Sequence, residues 1–129
     1  MRAILTIILG FFTFLNIAYS NEVNLFTSRH YDSDVQLYQK FTAKTGIKVN
    51  VVSGKAKALE KRLLSEGKSS KADVYITVDA GALGSAKAKG IFQRINSKTL
   101  NSKIPANFRT AHWYGAVLTI FLLLCQFQN

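Results

Sequence analysis

The sequence predicts an α/β domain, a three-layer sandwich built around a mainly parallel sheet. Three observations carry that expectation. Short runs of β-favouring residues recur at 23–27, 47–52 and 73–78. Stretches with apolar residues at helical spacing separate them. A glycine (Gly46, Gly67 or Gly90) closes each of those stretches, where a helix end favours a left-handed residue. Strands alternating with helices pair in parallel, and right-handed crossovers then place helices on both faces.

In chain order, Val23 to Thr27 reads as the first strand. Asp32 or Ser33 caps a helix running to about Thr45, with Val35, Tyr38, Phe41 and Thr42 at helical spacing. Ile47, Val49 and Val51 alternate with polar neighbours in a second strand that ends at Val52, and Ser53-Gly54 makes a turn. A second helix covers about 56–66, with Leu59, Leu63 and Leu64 on one face. The third strand, Asp73 to Val78, is apolar at nearly every position, as a strand covered on both faces requires. Asp79 caps a third helix to about Lys89. Ile91-Phe92 is a short extended segment, Ser97 to Ser102 one helical turn, and Pro105 a loop.

Residues 1–20 read as a signal peptide and place the chain in the periplasm. Arg2 is the positive flank, Ala3 to Leu15 the apolar core, and Ala18-Tyr19-Ser20 puts small residues where a signal peptidase cleaves. The other reading is an uncleaved anchor, although the apolar run is shorter than the roughly 20 residues a span needs. Residues 21–115 then form one small domain, and 116–129 an apolar tail. Cys125 is the only cysteine, which excludes an intramolecular disulfide, a CxxC redox site and a cysteine-based zinc site.

A net charge of +10 can signal nucleic acid or an anionic membrane surface. The lysines here are scattered, without an arginine-rich block or interleaved aromatics, so they read as the solvated surface of an exported protein that binds no nucleic acid. Enzyme motifs are missing as well. There is no G-x-S-x-G elbow, no phosphate loop follows Gly81 and Gly84, and neither His30 nor His112 sits in an H-E-x-x-H.

One constellation suits chemistry. Arg29-His30-Tyr31 stands at the carboxyl end of the first strand, where open α/β sheets bind ligands, and Thr77-Val78-Asp79 ends a strand expected beside it. Fe(III) is small, hard and highly charged, so it prefers anionic oxygen. A tyrosine phenolate supplies it once the metal displaces a proton whose free pKa is about 10, and imidazole is a usable nitrogen ligand. Tyr31 and His30 are therefore the candidate ligands. Arg29, Ser28 and Asp79 are candidates for orienting them or holding an anion. By residue type alone, a His-Tyr pair at a strand end serves packing more often than metal. His112, in Ala-His-Trp-Tyr-Gly, reads as structural, and Tyr38 and Tyr75 as packing residues.

From Val23 to Gly115 the chain resembles the N-terminal lobe of the periplasmic ferric-ion-binding proteins, type II binding proteins that feed bacterial ABC importers. The resemblance rests on Ser-Arg-His-Tyr (28–31), Thr-Gly-Ile-Lys-Val (45–49), Ala-Asp-Val-Tyr-Ile-Thr-Val-Asp-Ala-Gly-Ala-Leu (72–83), Ile-Pro-Ala-Asn-Phe-Arg (104–109) and His-Trp-Tyr-Gly (112–115), in that order. It implies a non-enzymatic carrier of two hinged lobes that closes on Fe(III) and docks on an inner-membrane permease. It also implies one ligand segment at His30-Tyr31 and an adjacent tyrosine pair from a C-terminal lobe. Relatives that use a glutamate after the third strand have their counterpart in Val78, which cannot ligate. After Gly115 the family pattern gives way to the apolar tail, read as a strand or a short membrane stretch. The expectation is a truncated carrier with weak iron binding at most. The alternatives are an exported basic interaction module, or a lobe that binds another small anion through Arg29 and Ser28.

Overall fold

Strands β1 (Glu22–Thr27), β2 (Lys48–Ser53) and β3 (Val74–Thr77) run parallel, with β1 in the middle. The computed structural model describes residues 21–116 and the backbone of 120–124, so the leader reading of 1–20 and the rest of the tail lie outside the described residues. Between the strands come α1 (Asp32–Thr45), α2 (Ala56–Glu66) and α3 (Ala80–Ala88). A short α4 (Lys98–Lys103) precedes β4 (Tyr114–Ala116) and β5 (Ile120–Leu124). The five-stranded sheet has the order β2-β1-β3-β5-β4. Strand β5 is antiparallel to both β3 and β4, so the strand reading of the tail holds for Ile120–Leu124 and the sheet is mixed at that edge.

Alternation along the strands divides the core in two. Phe26 and Tyr75 face α2 and α3, where they join Leu59, Leu63, Leu83, Ala86, Ile91 and Phe92. Leu25, Val74 and Ile76 face the other side with Val23, Val49 and Tyr38 of α1. These two clusters are why the sheet is the middle of three layers. Gly46 ends α1 at φ 74°, a left-handed conformation in which a side chain is strained, and its N–H bonds Thr42 O at 2.8 Å. At α3 the expected cap is present: Asp79 Oδ1 accepts from Ala82 N at 2.7 Å.

Three expectations are corrected. Helix α1 begins from Tyr31 without a side-chain cap, and Asp32 lies already inside its first turn. Its proposed inward face is largely open: Val35 is 53% and Phe41 40% exposed, because α1 covers the sheet only through Tyr38 and its neighbours. Leu64 is 42% exposed, one position off the row made by Leu59 and Leu63.

Leu63 is completely buried, so Leu63→Ala should cost about 2–5 kcal/mol in urea unfolding. Leu64→Ala should stay within about 0.5 kcal/mol, the usual range for a surface change. Burial, with the positive charges of Lys87 and Arg94, holds the His112 imidazole below its ordinary 6.5. A base depressed on folding gives stability that is complete above its unfolded value and is lost as pH falls through the folded one. The melting temperature should therefore drop as pH falls below 6.5, and His112→Gln should flatten that part of the profile. A second acid limb should follow from Glu60. Burial raises its carboxyl, but hydrogen bonds from Lys89 and Ser85 outweigh burial and hold it below 4.5. Its contribution is thus complete above 4.5 and lost as pH falls through the depressed value.

Candidate functional site

The tip of β1 is shaped by hydrogen bonds that outlast the strand. Ser28 N donates to Ile76 O at 2.9 Å and Gly54 N to Thr27 O at 3.0 Å, so the neighbouring strands hold the chain just past its last paired residue. The Thr27 hydroxyl, buried, accepts from Arg29 N at 3.0 Å. That local bond turns the backbone away from the ladder before α1 starts.

Arg29 turns inward. It is 6% exposed, as is Asp34. Its Nε donates to Asp34 Oδ2 at 3.0 Å and one terminal nitrogen to Oδ1 at 2.8 Å, a two-pronged match of guanidinium and carboxylate. The hydrogen bonds to Asp34 hold the Arg29 pKa above its ordinary value against the opposing effect of burial. The other terminal nitrogen, Nη1, is buried with no partner among the described residues. The guanidinium carbon lies 4.9 Å from the centre of the Tyr31 ring, within cation–π range.

His30 and Tyr31 turn outward. Their rings stack with centroids 5.8 Å apart at 15°. Tyr31 is 49% exposed and His30 is exposed. Both border a groove of about 600 Å³ between α1 and β2, together with Asp32 and Tyr38. Tyr38 is the other phenol there. Burial first, and then the Asp34 charge, push its hydroxyl above the ordinary 10.0 and so oppose the phenolate. Tyr31 is thus the phenol of this groove with open access to solvent.

The remaining expected residues are committed elsewhere. Ser28 Oγ donates to Thr77 Oγ1 at 3.1 Å, which ties the tips of β1 and β3 together as their adjacency demands. Asp79 is engaged with its own helix as the α3 cap. Val78 is exposed at the strand end and offers no ligand atom. Sequence reasoning missed Asp34. The available signal was an acid in the first turn of a helix shortly after an arginine at a strand end. No group of three or more His, Cys, Asp or Glu side chains able to hold a metal ion occurs among the described residues.

No protein-family model matches the sequence. Iron uptake protein A1 of a Synechocystis strain is 49% identical over 96 residues, which make up 73% of this chain and 27% of that protein. The Trichodesmium protein IdiA (FutA), solved in complex with iron and citrate ligands, superposes with a TM-score of 0.70 at 54% identity, covering 73% of this chain and 30% of that one. The ferric binding protein from Campylobacter jejuni gives a TM-score of 0.70 at 42% identity, over 71% of this chain and 30% of that one. The chain spans less than a third of the length of these relatives. Over the residues it shares with them, the chain is similar to the ferric-ion-binding proteins and has the α/β architecture of the type II periplasmic binding proteins.

Proposed function

We propose that the chain forms one side of an Fe(III) site in a periplasmic, non-enzymatic carrier that serves an iron importer and its inner-membrane permease. The observation that supports this best is the stacked, solvent-facing His30-Tyr31 pair at the tip of β1, in a chain so close to an iron uptake protein. Tyr31 supplies an anionic phenolate oxygen and His30 an imidazole nitrogen. Arg29 is a positioning residue. It rests against the Tyr31 ring while Asp34 fixes it from below. Ser28 ties the tips of β1 and β3 together, and Asp79 caps α3.

Two protein ligands leave most of the coordination sphere of Fe(III) empty. The relatives are more than three times longer than the stretch they share with this chain. The further ligands are proposed to come from outside the described residues, which by themselves would bind iron weakly.

Titration of the full chain with ferric citrate, followed by visible absorption, tests this. An equimolar mixture should give no tyrosinate-to-iron band. Any faint band at excess iron should vanish in Tyr31→Phe and weaken in His30→Ala. A strong equimolar band would overturn the half-site reading, and an excess-iron band unchanged in Tyr31→Phe would overturn the ligand assignment. Asp34→Ala leaves a guanidinium buried and unpaired. It should cost about 3–5 kcal/mol in denaturant unfolding and weaken the residual iron signal roughly 10-fold or more, as loss of a ligand's supporting partner does.

A further inference from the structure

A second cavity stands where the segment after α3 meets the loop before β4. Ile95 N donates to Ala111 O at 2.8 Å, and Arg109 bridges to Tyr114 in antiparallel fashion. Together these contacts bring Arg94 and Arg109 to one cavity of about 480 Å³, also lined by Asn96, Asn101, Thr110 and Tyr114. It shares no lining residue with the groove beside Tyr31.

The hydrogen-bond inventory of this cavity is lopsided. Its side-chain acceptors are in use. Asn96 Oδ1 accepts from Asn101 Nδ2 at 3.1 Å, and Asn101 Oδ1 from the Tyr114 hydroxyl at 3.1 Å. Thr110 Oγ1 accepts twice, from His112 N at 3.1 Å and Trp113 N at 3.2 Å. Donors are in surplus. With both those bonds accepted, the Thr110 hydroxyl proton is directed elsewhere. Arg109 Nε is buried without a hydrogen-bond partner among the described residues, a cost that a bound acceptor removes. Arg94 is exposed at the rim, and no carboxylate lines the cavity. Two guanidinium groups, a hydroxyl and an amide lining one cavity suit an anion with three acceptor oxygens better than a carboxylate with two.

We propose that this cavity binds a small phosphate-class oxyanion between Arg94 and Arg109. The site is independent of the His30-Tyr31 corner, and the surrounding net charge of +10 favours arrival of such an anion.

Calorimetric titration of the full chain with inorganic phosphate at low ionic strength tests it. The expected result is saturable one-site binding that Arg94→Ala/Arg109→Ala weakens by at least ~10-fold. Thr110→Val should weaken it less. Lys40→Ala/Lys44→Ala removes the same charge from exposed positions of α1 and should leave it unchanged. If the double alanine variant fails to fold by circular dichroism, Arg94→Lys decides. It keeps the rim charge but loses the fork, and should still weaken binding. Tyr31→Phe should have no effect, so failure of the iron reading and failure of this one are separable. Absence of saturable binding, or an equal loss in the lysine pair, overturns the proposal. So does association with phosphatidic-acid vesicles without any response to inorganic phosphate.

Discussion

A charge pair buried between the end of β1 and the first turn of α1 sets the geometry of the strand-tip corner. Arg29 and Asp34 leave water together, and each loses hydration that an apolar pair would never have had to give up. Their two-pronged contact offsets that loss only in one relative placement of strand and helix. An apolar pair would tolerate sliding, whereas this one fixes direction as well as distance. Tyr31 lies between the two partners in the chain, so fixing them fixes the backbone that carries it. The ring then has a cation on one side and the His30 imidazole stacked nearby. A metal ligand needs that sort of fixation, because a mobile phenol gives up affinity to conformational entropy.

The two faces of the sheet are unequally covered, and the consequence reaches the site. Helices α2 and α3, with Ile91 and Phe92, close one face over Phe26 and Tyr75. On the other, α1 reaches the sheet mainly through Tyr38, and the groove beside it runs from the strand tip along β2 past Val49 and Val51. The candidate ligands therefore sit at the mouth of an open channel with a partly apolar wall. Tyr38, farther in, is kept as a neutral phenol by burial and by Asp34. One groove holds two tyrosines, Tyr31 exposed at its mouth and Tyr38 partly buried within it.

Local signals in the sequence carried most of the framework. Glycine at the helix stops, Asp79 as a cap and Ser97 opening α4, where its Oγ accepts from Leu100 N, are decided by residues a few positions apart. The adjacency of β1 and β3 followed from α/β topology, and with it the bond between Ser28 and Thr77. What the sequence hid depends on surroundings. Helical spacing groups Val35, Tyr38 and Phe41 but says nothing of what lies against them, and only Tyr38 meets the core. The tie from Arg29 to Asp34 spans the turn into α1, and neither residue's type reveals that the turn buries both. The Arg94 and Arg109 cavity is harder still to foresee, because its walls meet only through pairing between segments distant in sequence.

Electrostatics poses the sharpest constraint on an iron reading, since a chain of net charge +10 should repel a trivalent cation. The local balance answers it. Arg29 is neutralised by Asp34 at close range, and Asp32, exposed on the same groove, adds a carboxylate with no ion pair among the described residues. A phenolate at Tyr31 would make the corner net anionic. The scattered lysines act through water and salt that screen exposed charges beyond about 8–10 Å. Their summed field therefore governs what approaches the molecule, while the corner governs what is held there. On the iron reading proposed above, an anionic ferric complex would be drawn by the global charge and would give up its cation to the local one.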